Sequence, residues 1–382
     1  MTLLIDNRNS IDGPGFHALI VGVSQYDFLP NYDDPPDAAT WNLCSLGSPT
    51  LSASAISEWL MGHAGLTKPL KTLRLLLSPT AVEHTSFTVD QPTWDNFNRA
   101  VREWRADCAD DCASIAFFYY GGHGLARGRG EHNALLTMSD LFDPRYAKLN
   151  KTAVTQNLLD GCAPQSNTDT ISRNQIFIFD CCRTFPDEMK NFDDRSVPPI
   201  LNVSFVNGVP DDRITARFFA VPDNTAAFAS VGSQTYFGSA LLDAFQNAGR
   251  NERPGGWRVD GMAISQRINS RYTTLSQRMP VALMDWNGPT LINLSGPPAV
   301  DIKVQLEPTV RATGRNVGLE RFPDPLVVGV EETCGHHNVR VEPGEYELKV
   351  SYPAPATNWF DTNDRQIILP DFVNPWVARG WP

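Results

Sequence analysis

Two apolar runs in this 382-residue chain end in side chains that can do chemistry. The run IAFFYY from Ile115 leads into Gly121, Gly122, His123 and Gly124, and the run IFIF from Ile176 leads into Asp180, Cys181, Cys182 and Arg183. The thiolate is the reactive form of cysteine, and a nearby imidazole can take the thiol proton and later return it to a leaving amine. Such a pair attacks carbonyl carbon, and the oxyanion that forms needs fixed donors. The backbone N–H groups of Gly124 and Cys182 are the candidates. A glycine after the histidine also lets substrate approach closely. Cys181 competes with Cys182, because adjacent side chains at a strand end point to opposite sides.

The pair can work only if two strands deliver it to one edge of a sheet. Parallel α/β sheets do this, since their sites lie at the carboxyl ends of the strands. Strand candidates fall at 17–23, 73–77, 115–120, 176–179, 226–231 and 281–284. They lack polar alternation, as strands covered on both faces do. Between them, Trp94, Phe97, Val101 and Trp104 recur at steps of three and four, a helix face. A second helix is expected through Leu51, Ala55, Trp59 and Leu60, and a third from Ser239 through Leu241, Leu242 and Phe245. The expected fold class is α/β, a mostly parallel six-stranded sheet flanked by helices over residues 1–296. Polar, Pro-rich stretches at 31–49 and 187–217 interrupt it and are expected to be loops beside the site. Beyond Gly296 helical periodicity stops, and residues 297–382 read as a small all-β, sandwich-like domain that recruits a partner or substrate.

A net charge of −11 opposes binding to a nucleic-acid backbone, which needs clustered Lys and Arg. No run approaches the ~20 apolar residues of a membrane span, and the N-terminal residues lack a basic, apolar leader. Seven scattered cysteines then read as reduced thiols in the cytoplasm. Cys334 with His336 and His337 offers soft ligands suited to zinc, though a solvated turn explains them as well.

The residues quoted above resemble the caspase-like peptidases, and within them the metacaspase branch and its bacterial relatives. YYGGHG resembles that branch's aromatic strand ending in Ser-Gly-His-Gly, and DCCR resembles its Asp-x-Cys-His block. FHALIVGVSQY is similar to its opening strand, and NTAAFASVGSQTYFGSALLDAF to its later strand and helix. His123 and Cys182 stand 59 residues apart, from position 123 to position 182, near the ~50 of caspases. The resemblance covers 15–294 and implies a cysteine endopeptidase of the Cys-His dyad type, with Cys182 as nucleophile and His123 as base. It also implies a substrate-binding role for Asp180, whose carboxylate suits Arg or Lys before the scissile bond, and for Asp37 and Ser230. Gly121 departs from the family's pocket serine, and the family's Asp-Ala is matched either by Ser52-Ala53 or by Asp37-Ala38.

Processing sites are expected at Lys190, Arg195, Arg213 and Arg217, in a zymogen activated by a protease or regulatory protein. Protein substrates are the expected partners, and a role in bacterial defence or cell death fits such an enzyme. No cofactor is expected, except that Asp193, Asp194, Asp211 and Asp212 could gather calcium as in some metacaspases. The alternatives are a catalytically silent signalling module with the same fold, and a protease specific for Asn or Asp.

Overall fold

The computed structural model describes residues 2–126, 134–187, 197, 199–201, 209–222, 225, 227, 229–252, 256–274, 279–307, 315–322, 327–333, 336–351, 359–368 and 376–379. The apolar runs condense into one seven-stranded sheet. Its strands are β1 (Leu3–Asp6), β2 (Phe16–Val23), β3 (Leu70–Ser78), β4 (Ile115–Gly122), β5 (Asn174–Cys181), β6 (Ile214–Phe219) and β7 (Val281–Met284). They lie in the order β1-β3-β2-β4-β5-β6-β7. The five inner strands are parallel, and β1 and β7 close the edges antiparallel. Every residue of β2 and β4 is buried, which is why neither strand alternates.

The strand expected at 226–231 is corrected. Among its described residues Ala229 makes a single bridge to Thr235, and the fifth parallel strand is β6. The sheet therefore has seven strands rather than six, because the short edge strand β1 also joins it.

Helices α1 (Pro49–Gly62) and α2 (Trp94–Asp107) lie between β2 and β4, and α3 (Thr155–Gly161) precedes β5. Thr93 caps α2 by accepting from the Asn96 N–H, and the helix buries Trp94, Phe97, Val101 and Trp104 as the spacing predicts. Trp104 donates from Nε1 to the His17 carbonyl at 3.0 Å and packs its ring on Phe118 and Phe177. In α1 the buried face is Ala53, Ile56, Ser57 and Leu60, while Leu51, Ala55 and Trp59 are only half-buried. Small residues let this helix lie close on the sheet. A Cβ at Gly22 would stand 2.8 Å from the Ala53 Cβ, so no larger residue fits there. Among the described residues no helix is long and apolar enough to cross a membrane.

The chain divides into two compact units, Met1–Leu242 with Arg278–Leu291, and Asp243–Gln277 with Ile292–Pro382. The expected boundary lies at residue 296, and by packing 243–277 group with the C-terminal part. In the second unit a three-stranded sheet (His336–Val341, Val300–Glu307, Trp376–Arg379) and a four-stranded one (Val327–Thr333, Arg315–Phe322, Gly344–Ser351, Trp359–Ile368) share one core. Val304 and Trp376 come from the first sheet, Leu319 and Leu348 from the second, as in a sandwich.

Trp104→Ala is expected to lower the unfolding free energy by about 3–5 kcal/mol, the usual result of emptying an aromatic core site. Urea denaturation followed by tryptophan fluorescence and circular dichroism checks it.

Candidate active site

Strands β4 and β5 are paired in parallel with Gly122 opposite Cys181, so the next residues, His123 and Cys182, leave the sheet side by side. Both line a cavity of about 220 Å³ at the carboxyl edge of the sheet. Its walls are mostly apolar, with Tyr32, Leu46, Pro49, Ala229 and Val231, and Asp180 lies among the lining residues.

His123 is held on three sides. Its Nε2 lies 2.7 Å from the Cys44 carbonyl oxygen, which can only accept, so Nε2 carries the proton. Nδ1 of the neutral ring is then left with its lone pair. Its backbone N–H donates to the Tyr26 hydroxyl at 2.8 Å, and the Tyr26 ring lies 5.1 Å from the imidazole, centroid to centroid. The His123 carbonyl accepts from the Tyr120 hydroxyl at 2.9 Å and from that of Thr137 at 3.1 Å. Burial lowers the imidazole's pKa, an effect the Cys44 carbonyl partly offsets. The ring is therefore a neutral base.

Cys182 is half-buried, and its Sγ accepts from the Ala227 N–H at 3.1 Å. Burial raises its pKa, the Ala227 N–H opposes that, and the Asp180 charge adds to it. Cys181 is 2 % exposed and belongs to the core, and burial pushes its thiol far up. Of the adjacent cysteines, Cys182 is therefore the accessible one. A Cβ at Gly124 would fall 2.2 Å from the Cys182 carbonyl oxygen and 2.6 Å from the Cys181 sulfur. Glycine there lets the two strand ends touch. Gly124 itself does not line the cleft.

Asp180 is buried and lines the same cleft. Its Oδ2 accepts from the Tyr119 hydroxyl at 2.7 Å and from the Thr235 hydroxyl. Burial nevertheless pushes its pKa up to about 6, against those donors. Thr235 in turn accepts from the Gly238 N–H at 2.9 Å and from the Ser52 hydroxyl at 3.0 Å. A Cβ at Gly121 would meet the Tyr119 hydroxyl at 3.1 Å, so that phenol occupies the space a serine side chain would enter.

The other expected site residues are placed as follows. Asp37 caps a 3-10 turn, Ala38–Thr40, by accepting from the Ala39 N–H, and does not line the cleft; the Ser52-Ala53 match sits beside Asp180 through Thr235. Ser230 lies between two lining residues, and its carbonyl accepts from Ser48 Oγ at 2.8 Å. Lys190 and Arg195 lie outside the described residues, as do Asp193, Asp194 and Cys334, and the side chains of His336 and His337. Arg217 is corrected as a processing-loop residue: it sits inside β6, paired with Phe177 on one side and Leu283 on the other. Arg213 is 11 % exposed, pairs with Asp211 at 2.7 Å and donates to the Leu159 carbonyl at 2.8 Å. Asp212 pairs with Arg173 at 2.6 Å, so Asp211 and Asp212 each hold an arginine.

The site residues expected from the sequence do not include Cys44, Tyr26, Tyr119 or Thr235. Thr235 was findable, as a threonine just before the apolar helix α4 (Tyr236–Asn247) is a helix-cap signature. Cys44 acts through its carbonyl, which leaves no mark in the sequence.

The caspase domain family matches residues 16–278. The chain therefore belongs to the caspase domain family of cysteine peptidases. No curated protein matches it. Among solved structures it is similar to protein GSU0716 from Geobacter sulfurreducens, at 10% identity and a TM-score of 0.41, over 72% of this chain and 94% of that one.

Tyr26→Phe leaves the buried His123 N–H without its acceptor, and an unfolding free energy lower by about 1–3 kcal/mol is expected by denaturant titration. Asp180 holds its proton to higher pH folded than unfolded. Unfolding free energy should therefore fall as pH rises from about 4 to about 6, by up to on the order of 3 kcal/mol. Asp180→Asn is expected to lack that slope when stability is measured across the same range.

Proposed function

We propose that this protein is a cysteine endopeptidase that cuts protein substrates after Arg or Lys. The observation that carries the reading is a neutral imidazole, fixed by the Cys44 carbonyl, sharing one cleft with an accessible thiol and a buried carboxylate. Nδ1 of His123 takes the proton from Cys182 as sulfur attacks the substrate carbonyl. The same ring returns the proton to the departing amine, and then activates the water that releases the acid from the thioester. Because burial disfavours both charged forms, the resting pair is thiol and imidazole rather than an ion pair. The oxyanion role expected of the Cys182 N–H belongs to this reading, whereas Gly124, which does not line the cleft, is not assigned it.

No Lys or Arg is among the described residues lining the cleft. An acidic side chain would meet only Asp180 there, whereas a basic one gains a charge-assisted contact. The preference should be strong above pH 6, where Asp180 is ionised, and fade below it. Activation by processing in the 187–213 segment, and a cytoplasmic setting, fit the same reading.

Fluorogenic peptides differing only at the residue before the scissile bond test it. Arg and Lys reporters are expected to be cut by the wild type and by Cys181→Ala, and Cys182→Ala or His123→Ala to abolish cutting. Asp180→Asn should lose roughly 10- to 100-fold on basic reporters, the worth of a hydrogen bond to a charged group of about 1.5–3 kcal/mol. Cutting after Asn or Asp would transfer the specificity to another pocket, and silence of every reporter after limited proteolysis would favour the signalling module.

A further inference from the structure

We propose that the main-chain N–H of Ala227 stabilises the sulfur anion of Cys182 as the thiol gives up its proton, a role that rests on the reading of Cys182 as nucleophile. The donor stands 3.1 Å from Sγ. It is held there by the fold. The Arg183 N–H donates to the Thr225 carbonyl at 3.0 Å, tying the residue after the nucleophile to the stretch that presents Ala227. Beyond Ala227, Ala229 bridges Thr235, Ser48 Oγ donates to the Ser230 carbonyl at 2.8 Å, and the Gly232 N–H donates to the Gly47 carbonyl at 2.7 Å. A donor fixed in this way loses no orientation when charge develops.

Among the described residues, the groups that line the cleft beside the sulfur leave that task to the main chain. His123 is a neutral ring with its Nε2 proton committed to Cys44, and Cys44, also on the cleft, is a thiol whose pKa burial raises. Asp180 and Cys181 precede the nucleophile, and the Asp180 charge works against a thiolate. The Arg183 side chain turns away, donating to the Val221 carbonyl and stacking over the Phe219 ring. Besides Ala227, the N–H of Cys182 itself favours the anion.

The bond also discriminates along the reaction. When the proton passes from Sγ to Nδ1 of His123, Sγ carries a full negative charge and accepts strongly; once it is bonded to the acyl carbon it is a neutral thioester sulfur and accepts weakly. The N–H therefore favours the thiolate both as attacker and as leaving group when water cleaves the thioester.

Two measurements that need no peptide turnover test the proposal. The first is the rate of Cys182 alkylation by iodoacetamide against pH, read by site-resolved mass spectrometry in the wild type and in Ala227→Pro, which lacks the N–H. The midpoint should move up by about one to two pH units, a roughly 10- to 100-fold slower reaction near neutrality. In the second, the Ala227 amide resonance of protein labelled with 15N-alanine should follow the Cys182 titration, and stop doing so in Cys182→Ala. An unchanged midpoint in a folded Ala227→Pro, or an amide that ignores Cys182, overturns the proposal; should Ala227→Pro fail to fold, the resonance decides. Failure to cut any reporter would sink the peptidase reading alone, since both readouts follow the thiol directly.

Discussion

The register of β4 against β5 is the constraint on which the site depends, because neither reactive residue belongs to a motif that could hold the other. Parallel strands keep corresponding residues level, and the pairing of Gly122 with Cys181 leaves His123 and Cys182 one step beyond the last rung. A shift of one residue would turn each side chain to the opposite face. The register is in turn enforced by burial. Phe117, Phe118, Tyr119 and Tyr120 of β4, and Phe177 and Phe179 of β5, are fully enclosed, and each ring has a place only in this alignment.

The polar ends of those same side chains extend the frame into the cleft. Tyr119 and Tyr120 leave opposite faces of β4, one hydroxyl reaching Asp180 and the other the His123 carbonyl. A single strand thus supports the carboxylate on one side and the imidazole-bearing residue on the other. This arrangement helps explain how a carboxylate survives in an enclosed place: two hydroxyls donate to it, although burial still makes it a weaker acid than usual.

What the sequence made legible was what burial writes into it. Continuous apolar runs marked four of the five parallel strands, and the spacing of Trp94, Phe97, Val101 and Trp104 marked the helix. The fifth strand escaped because β6 carries Thr215 and Arg217 on one face, where a pocket of about 340 Å³ lined by Gln156, Asp160 and Asp285 accommodates polar atoms. The more apolar run at 226–231 took its place in the reading. The helix α1 was legible but its buried face was not: the contact with the sheet needs small side chains, so the bulkier Leu51 and Trp59 sit away from it. His123, Cys182 and Asp180 were readable as side chains at strand ends, whereas the contacts from Cys44 and Ala227 were not, since any residue but proline supplies an N–H and every residue a carbonyl.

The Cys44 contact places an unusual demand on descent. Had a carboxylate oriented the imidazole, replacing that one residue would have broken the arrangement, and selection would have frozen its identity. With a peptide oxygen in that place, the contact itself prescribes no side chain at position 44, while it does fix the spacing of the chain between the 3-10 turn at Ala38–Thr40 and the start of α1 at Pro49. Insertions and deletions there, rather than point substitutions, are the changes that lineages carrying this site could least tolerate.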